Sequence, residues 1–199
     1  RVLLIDTDTT NDAKEVSEGD IGFVDQKYTL FRNKTVKQSL ISAQRKTNLS
    51  LIEKTEIVNQ YVADWGLVNQ IDQYPSELSG GQRQRVAIIE QVLSSGNFMV
   101  MDEPFSGLDV GNIQSVKNAF KMIHSAHDLN TIIFSTHDIS LAVELADSIY
   151  VLGRPDMDNR VSSIVHHFDM KEIGLAWSEE FTPKHLELQK EVESVMLKS

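Results

Sequence analysis

The second half of the chain alternates short strand-like runs with amphipathic stretches, and this alternation constrains the fold more than any other feature. Strand-like runs occur at Phe98–Met101, Thr131–Ser135 and Ser148–Leu152. The stretches between them, Ile113–His124 and Ile139–Ala146, repeat apolar residues at the spacing of a helix. Strands that alternate with helices form a parallel sheet covered by those helices. The pattern therefore predicts an α/β fold with a mostly parallel sheet.

Two further strand-like runs and a long helical region precede this alternating half. Val2–Ile5 and Ile21–Val24 are short, apolar and partly β-branched, which favours strands. From Thr35 to about Gln70, and again over Arg83–Leu93, the signals are helical. The first half therefore adds two strands and a largely helical region to the fold.

The C-terminal part of the chain carries two more signals. Val161–Val165 is short and partly β-branched, and it is a candidate for one additional strand. Pro183–Leu197 has an apolar stripe at helical spacing and predicts a terminal helix.

The composition is that of a globular protein with its own core. Of 199 residues, 41% are hydrophobic and 24% are charged, which excludes a disordered, collagen-like or coiled-coil chain. The sequence contains no apolar run that approaches the ~20 residues of a membrane-spanning helix. The net charge of -10 disfavours nucleic-acid binding. The absence of cysteine excludes disulfides, thiol catalysis and zinc–thiolate sites.

The segment Leu78–Gln82, with the sequence Leu-Ser-Gly-Gly-Gln, is the strongest local motif. Ser79 is a good N-cap, and Gln82 three residues later completes a capping box. The two glycines leave backbone N–H groups unshielded, and a helix N-terminus favours phosphate. A Ser-x-x-Gln pattern alone indicates an ordinary capped helix. The full pentapeptide, with five fixed positions, is far more specific.

Two carboxylates follow the buried strand at Phe98–Met101. In an open parallel sheet, ligands bind beyond the carboxyl ends of the strands. Asp102 is suited to hold Mg²⁺, which prefers hard oxygen ligands, and Glu103 to polarise a water that attacks a phosphoryl group. The plainer alternative is a polar turn in which one carboxylate caps the next segment of the chain.

Other polar residues also follow strand-like runs. His137 lies on the same sheet edge as Asp102 if both strands are parallel, and a histidine there can donate a hydrogen bond to a phosphate oxygen. By itself it is more typical of a structural histidine near a helix cap, here beside Asp138. Gln26 alone indicates little, and Ser106–Asp109 alone indicates a turn that enters a helix.

Taken together and in this order, the motifs resemble the nucleotide-binding domain of ATP-binding cassette (ABC) proteins. The resemblance covers about residues 22–152. The segments that carry it are Gly22–Gln26 for the Q-loop, Leu78–Gln82 for the signature motif, Val100–Glu103 for the Walker B strand, Ser106–Asp109 for the D-loop and Ser135–Asp138 for the switch-histidine region.

The resemblance implies a P-loop NTPase-like (RecA-like) fold, with helices on both faces of a mostly parallel sheet. Residues 1–199 would form a single nucleotide-binding domain, with a helical signature subdomain at about 33–95 and a helical tail at about 169–199. It also implies an ATP-hydrolysing subunit of an ABC transporter of the bacterial importer type, working as a dimer with transmembrane permease subunits. Such a subunit is cytoplasmic and peripheral on the inner face of the membrane, and no nucleic acid is expected as a partner.

The same resemblance implies roles for four residues in one copy of the domain. Asp102 would bind Mg²⁺, and Glu103 would be the catalytic base. Gln26 would contact Mg²⁺ and the attacking water and sense the membrane partner. His137 would contact the γ-phosphate of ATP. These four residues form the site expected within one chain.

Five further residues are implied to act across the dimer, in which two domains pair head to tail around two ATP molecules. Ser79, Gly80 and Gly81 would contact the γ-phosphate of the nucleotide held by the other subunit, with Gln82 supporting that loop. Asp109 would work across the same interface. A helix N-terminus supplied by a second chain would then act only when the dimer closes.

The sequence departs from the family pattern in one large respect. It contains no Gly-x-x-x-x-Gly-Lys-Ser/Thr loop, which cradles phosphates with backbone N–H groups and a lysine. In the family this loop lies farther upstream of Gln26 than the 25 residues that precede it in this chain, which starts at Arg1. We therefore expect that the N-terminal part is missing and that the 199 residues alone are inactive. Asp25 and Glu90 are smaller departures, since the family often has an apolar residue and an arginine there.

Two alternatives belong to other functional classes. One is a degenerate nucleotide-binding domain that regulates a partner without turnover, although Glu103 and His137 argue against it. The other is a soluble ABC ATPase of DNA repair or translation. Gln26 and Ser79 are 53 positions apart, which leaves no room for the long coiled coil of DNA-repair members. Translation-type members usually carry two cassettes, and this sequence has one signature motif.

Overall fold

The computed structural model describes residues 3–5, 13–17, 19–95, 98–108, 110–126, 131–154, 162–176 and 180–198. The chain divides into two compact units, Arg1–Ser135 and Thr136–Ser199. Among the described helices, none combines the length and the apolar composition that crossing a bilayer requires.

The first unit contains a short hairpin and a parallel sheet. Strands β1 (Leu3–Ile5) and β2 (Ala13–Glu15) pair antiparallel. Strands β3 (Ile21–Val24), β4 (Phe98–Asp102) and β5 (Thr131–Ser135) form a sheet in the order β3-β4-β5, and both pairs are parallel. The predicted parallel sheet is confirmed for these three strands.

The register of this sheet brings its polar ends to one edge. Val24 pairs with Met101, and Asp102 pairs with Ser135. Because all three strands run the same way, the residues that come after them also emerge at this edge. Behind the edge, the rings of Phe105, Phe120 and Phe134 lie 5.4 to 5.9 Å apart in tilted or edge-on contacts. Such contacts anchor the turn after β4 to the core.

The described part of the first unit also holds four helices: α1 (Val36–Ala43), α2 (Leu51–Asp64), α3 (Gly80–Ser94) and α4 (Val110–Ala126). Each of the first three begins with a capping box, in which side chain and backbone satisfy each other's hydrogen bonds. The predicted helical region therefore contains two helices before α3, and short 3₁₀ turns connect them: Gln44–Lys46, Val68–Gln70 and Pro75–Glu77.

Helix α3 lies in the middle of the first unit and is buried over most of its length. Val86, Ile88 and Ile89 are each at most 1% exposed. Fully burying an apolar side chain of this size contributes roughly 1.5–3 kcal/mol. The same helix reaches strand β3, because the Gln91 side chain accepts a hydrogen bond from the Phe23 amide at 3.2 Å. Its position relative to the sheet is therefore fixed by both packing and polar contact.

The second unit contains helix α5 (Ile139–Leu145), strands β6 (Ser148–Gly153) and β7 (Ser163–Asp169), and helices α6 (Met170–Ile173) and α7 (Pro183–Met196). Strands β6 and β7 pair antiparallel, with an irregularity between Val151 and Leu152. The core of this unit unites residues from several of these elements: Val143, Ile149, Val151, Phe168, Met170, Leu175, Leu188 and Val192.

One sequence expectation differs from this arrangement. The alternation of strands and helices predicts that Ser148–Leu152 extends the parallel sheet, whereas β6 pairs with β7 in a separate two-stranded sheet. Strand β7, which runs from Ser163 to Asp169 and so extends beyond the predicted stretch Val161–Val165, follows β6 closely in the chain and pairs with one of its two edges. The predicted terminal helix is confirmed as α7.

Candidate functional site

The end of strand β4 carries the two carboxylates, and Ser135 on the neighbouring strand joins them. The Ser135 hydroxyl donates a hydrogen bond to Asp102 Oδ1 at 2.7 Å. The Ser135 oxygen also accepts a hydrogen bond from the Glu103 amide at 3.1 Å. One hydroxyl therefore orients the Asp102 carboxylate and the backbone of Glu103 together, while the Asp102 side chain stays exposed to solvent.

The backbone of Glu103 is left-handed, with φ at +48°. A non-glycine residue in this region costs on the order of 1–3 kcal/mol, and such residues persist where the surroundings hold them in place. A tight turn comes next, in which the Ser106 amide donates to the Glu103 carbonyl at 3.1 Å. The left-handed backbone of Glu103 turns the chain away from the direction of strand β4. The Glu103 side chain is half-buried.

Gln26 lies near this turn. Its side-chain amide donates to the Ser106 hydroxyl at 3.4 Å. The loop that carries Gln26 is ordered by Asp25, whose carboxylate accepts hydrogen bonds from the Lys27 amide at 2.9 Å and the Thr29 hydroxyl at 2.9 Å. Asp25, a departure from the family pattern, therefore shapes this loop. The structure brings Gln26 close to the turn after Asp102 and Glu103.

The start of α3 has the geometry that the motif Leu78–Gln82 predicts. The Gln82 amide donates to the Ser79 hydroxyl at 3.3 Å, and the Ser79 amide donates to the Gln82 side chain at 2.8 Å. The amides of Gly80 and Gly81 stand in the first turn, where a helix offers them no acceptor. Gly80 is exposed, and a Cβ placed on it would meet no atom within 4 Å beyond its chain neighbours and the backbone of its own helix. The start of α3 is thus open to an approaching molecule at Gly80, whereas Gly81 is buried.

A buried hydrogen-bond cluster beside these motifs was missed at the level of sequence. The side-chain amide of Gln84 donates to the Tyr28 hydroxyl at 2.8 Å and to the Pro104 carbonyl. The Tyr28 hydroxyl donates to the same carbonyl at 3.3 Å. Tyr28 and Gln84 are 56 positions apart. The sequence signal for them is their proximity to a motif, Tyr28 to Gln26 and Gln84 to Gln82.

His137 and Asp109 are the remaining expected site residues. His137 belongs to the second unit, where it is exposed just before α5. The neighbouring Asp138 caps that helix by accepting a hydrogen bond from the Leu141 amide at 3.1 Å, as the sequence suggests. Asp109 lies outside the described residues. Within the first unit, the structure therefore brings together Gln26, Asp102 and Glu103.

Comparison with known proteins identifies the family to which these motifs belong. The model of the family described as ABC transporter matches residues 1–106 of the chain. The chain belongs to the ABC transporter family. A dimeric structure of the ATP-binding cassette MJ0796 in a post-hydrolysis state, bound to ADP and Pi, is similar at 25% identity and a TM-score of 0.56. That match covers 66% of this chain and 57% of the other.

A second solved structure, cbiO1 from Clostridium perfringens, is part of the ABC transporter complex cbiONQ. It has 24% identity and a TM-score of 0.63, and the match covers 78% of this chain and 59% of that one. At this identity the likeness shows the fold alone. Both structures agree with the α/β fold class that the sequence predicts, which is therefore confirmed.

The curated relatives include several ATP-binding proteins named for sulfate/thiosulfate import. The protein CysA of Thermosynechococcus vestitus is 34% identical over 165 residues, which cover 79% of this chain and 46% of that protein. CysA 2 of Shewanella oneidensis is 36% identical over 145 residues, which cover 71% of this chain and 41% of that protein. The chain spans about half the length of the curated relatives that it matches.

The donor atoms at the edge of this ABC domain fit a hard cation. Asp102 supplies an exposed carboxylate, Gln26 an amide oxygen and Ser106 a hydroxyl, and all three are oxygen donors. The described residues contain no group of three or more His, Cys, Asp or Glu side chains that could enclose a metal ion. The oxygen donors of Asp102, Gln26 and Ser106 suit Mg²⁺, which is commonly held by one or two carboxylates together with substrate phosphates and water.

A groove of about 370 Å³ lies elsewhere in the first unit of this ABC domain. The loop after β3, the end of α1 and the second half of α3 line it. Its lining includes the cations Lys34, Arg45 and Lys46 and one carboxylate, Glu90. Burial raises the pKa of Glu90 to about 7, and the nearby charge of Lys34 opposes that rise. In a chain with a net charge of -10, this groove is a local concentration of positive charge.

Proposed function

We propose that this chain is the ATP-binding and ATP-hydrolysing subunit of an ABC transporter of the bacterial importer type. The observation that carries the proposal is the edge at which Asp102, Glu103 and Gln26 come together beside Ser135 and Ser106. The names of the relatives, which describe ATP-binding subunits for import, support the importer type.

In this proposal the carboxylates divide the chemistry between them. Asp102 holds Mg²⁺, with its Oδ1 oriented by the Ser135 hydroxyl. When bound, Mg²⁺ neutralises charge on phosphate oxygens. Glu103 is the general base that accepts a proton from the attacking water. Gln26, beside Ser106, orients that water and contacts the ion. The left-handed backbone of Glu103 sets the direction in which its side chain leaves the end of β4.

The remaining residues act between two copies of the domain. Ser79, Gly80 and Gly81 bind the γ-phosphate of ATP held by the second copy: Ser79 offers its hydroxyl, and the amides of Gly80 and Gly81 lie at the positive end of the α3 dipole. Gln82 supports this loop through its contact with Ser79. Asp109 also acts across this interface. His137 is the exception, since it is proposed to contact the γ-phosphate of the ATP bound by its own copy.

The partners in this proposal are a second nucleotide-binding domain and transmembrane permease subunits on the inner face of the membrane. The groove beside α1 and α3 is proposed to receive a segment of the permease. Its cationic lining from Lys34, Arg45 and Lys46 suits a segment that carries acidic side chains. We further propose that residues 33–95 form a helical subdomain that supplies most of the lining of this groove. Residues 169–199 are proposed as a helical tail, whose Leu188 and Val192 pack into the core of the second unit.

The decisive test replaces the proposed base in the complete gene product. Glu103→Gln should lower ATP hydrolysis by a factor of about 100 or more, because the general base contributes on that order. Equilibrium binding of ATP should persist, since the variant keeps the size of the side chain. Glu56→Gln, on the exposed face of α2, is the matched control and should leave both quantities unchanged. Unchanged turnover in Glu103→Gln would rule out Glu103 as the base.

The second candidate is a nucleotide-binding domain that regulates a partner without turnover. The 199 residues contain no Gly-x-x-x-x-Gly-Lys-Ser/Thr loop. The same assay separates the two candidates. A complete gene product that binds ATP, but hydrolyses it no faster than its Glu103→Gln variant does, would favour the regulatory function.

A further inference from the structure

We propose that Tyr28 and Gln84 are positioning residues that tie the backbone beside Glu103 to helix α3 and to the Gln26 loop. The inference rests on the proposed function, because it assigns Glu103 the role of the base. It concerns the buried cluster formed by Tyr28, Gln84 and the Pro104 carbonyl, termed the Pro104 cluster. Three segments that are distant in sequence meet at this one carbonyl oxygen.

The Pro104 carbonyl is the acceptor that holds the cluster together. It accepts hydrogen bonds from the Gln84 side chain and from the Tyr28 hydroxyl. Proline has no N–H group, so this carbonyl is the whole of its backbone hydrogen bonding. Burial, with a further contribution from the charge of Asp25, raises the pKa of Tyr28 to about 12, which keeps the hydroxyl protonated as a donor.

The carbonyl matters because Pro104 directly follows Glu103. A residue before proline prefers extended backbone, and Glu103 instead has φ at +48°. Such a conformation persists only where neighbouring contacts hold it. Ser135 holds the amide of Glu103, and the Ser106 amide donates to the Glu103 carbonyl. The Pro104 cluster holds the next peptide, between Pro104 and Phe105. The conformation of the base thus depends on hydrogen bonds from both sides.

The two donors connect this peptide to other parts of the proposed mechanism. Gln84 lies in the second turn of α3, five residues after Ser79, so a displacement of the helix start is carried to Pro104 through a rigid element. Tyr28 lies two residues after Gln26 and is itself left-handed, with φ at +48°. The cluster therefore links the surface offered to the second copy, and the loop of Gln26, to the residue that acts on water.

The cluster is not what stability alone would favour. Gln84 is 0% exposed, and its Oε1 finds no hydrogen-bond partner among the described residues. A buried polar atom left unsatisfied costs about 1–3 kcal/mol. An apolar side chain of similar length would avoid this cost. A function in positioning explains why an amide occupies this place.

Two variants of the complete gene product test the proposal: Tyr28→Phe and Gln84→Met. Each should lower kcat for ATP hydrolysis roughly tenfold while the KM for ATP stays within about twofold, because positioning of the base is lost and binding is not. Tyr61→Phe is the matched control, since Tyr61 is a half-buried tyrosine on α2, and its kinetics should not change. The thermal midpoint of Gln84→Met should equal or exceed that of the unmodified protein.

A second measurement needs no turnover and separates this proposal from the proposed function. Hydrogen exchange measured by mass spectrometry should show faster exchange in residues 103–108 of both variants, with α7 unchanged. Faster exchange in residues 103–108 of both variants, together with no ATP hydrolysis by the unmodified protein, would contradict the proposed function. It would still support the proposal that Tyr28 and Gln84 position the backbone beside Glu103. Unchanged exchange in residues 103–108, or a loss of kcat no larger than in Tyr61→Phe, would overturn the inference.

Discussion

The turn after β4 and the start of α3 both carry residues that we propose act on ATP, but their local structures are opposite. The Glu103 amide of the turn donates to Ser135, the Pro104 carbonyl accepts from Tyr28 and Gln84, and Glu103 has a strained backbone. The start of α3 is relaxed, with its capping box complete and Gly80 open to solvent. This contrast indicates that a group acting within its own chain needs its orientation fixed, whereas a group offered to another molecule needs free space.

The largest expected effect on ATP hydrolysis comes from placing a charged side chain in the open space at Gly80. Gly80→Asp should fold normally, since nothing beyond its chain neighbours and the backbone of its own helix lies within 4 Å of the new Cβ and a carboxylate stabilises the first turn of a helix. ATP hydrolysis should fall by about 100-fold or more, because the carboxylate opposes a phosphate and blocks the donors. Steady-state ATPase assays and thermal unfolding of the complete gene product measure the two effects.

The neutral control is Gly80→Asn, which has the same size as Gly80→Asp without its charge. It should retain more activity than the aspartate variant if charge is the main cause. Equal loss in both variants would show that steric space alone matters. Normal hydrolysis by Gly80→Asp would contradict the contrast between the two regions, because the start of α3 would then not meet a phosphate.

A smaller effect is expected at the ordered turn. Ser135→Ala removes the hydroxyl that joins Asp102 to the Glu103 amide. We expect hydrolysis to fall roughly tenfold, with about 1 kcal/mol lost from the free energy of unfolding. The concentration of Mg²⁺ that gives half-maximal hydrolysis should rise, because one oxygen of Asp102 is no longer oriented. Ser135→Thr keeps the hydroxyl and should keep most activity; an equal loss in both would refute this role.

The second half of α3 carries Glu90, a partly buried carboxylate whose protonation should make the stability of the protein depend on pH. The pKa of Glu90 is raised from 4.5 in the unfolded chain to about 7 in the folded protein. At pH values between these two, the folded protein keeps a proton on Glu90 that the unfolded chain has released. The free energy of unfolding should therefore fall as pH rises from 4.5 to 7, by about 1–2 kcal/mol after allowance for solvent screening.

Denaturant titrations across this pH range measure how steeply the free energy of unfolding changes with pH. Glu90→Gln should flatten this slope, because the glutamine does not titrate, and should be the more stable form near neutral pH. Glu56→Gln, at an exposed position on α2, should keep the slope of the unmodified chain. An identical slope in Glu90→Gln would show that the carboxylate is not buried.

The smallest signal is expected from the 199-residue chain alone. It has the carboxylate edge and the open helix start, but its sequence lacks the glycine-rich phosphate loop with its lysine. Isothermal titration calorimetry should therefore detect no tight binding of ATP. Submicromolar binding would reveal phosphate contacts beyond these two regions.

Local patterns predicted the helix starts well. The capping box of Ser79 and Gln82 is present in the structure, because both partners lie within one helical turn and need no distant neighbour. The parallel pairing of Phe98–Asp102 with Thr131–Ser135 was also predictable, since an intervening helix lets the chain return in the same direction.

Strand partners were harder to predict. The run Ser148–Leu152 was recognisable as a strand, but its apolar pattern carries no information on which neighbour it will pair with. The pairing with β7 depends on a second strand whose full length, Ser163–Asp169, mixes polar and apolar residues. The Pro104 cluster escaped prediction for a related reason: each of its members is ordinary within its own segment.

Residue identity and short spacing were enough to establish the family, the strand and helix types, and which carboxylates end a strand. They were not enough to establish that Ser135 orients Asp102, that Gln84 and Tyr28 meet at Pro104, or that Gly80 stays open; these features required the folded structure. Hydrogen bonds between residues tens of positions apart form only after packing has brought their segments together, so short-range patterns do not encode them.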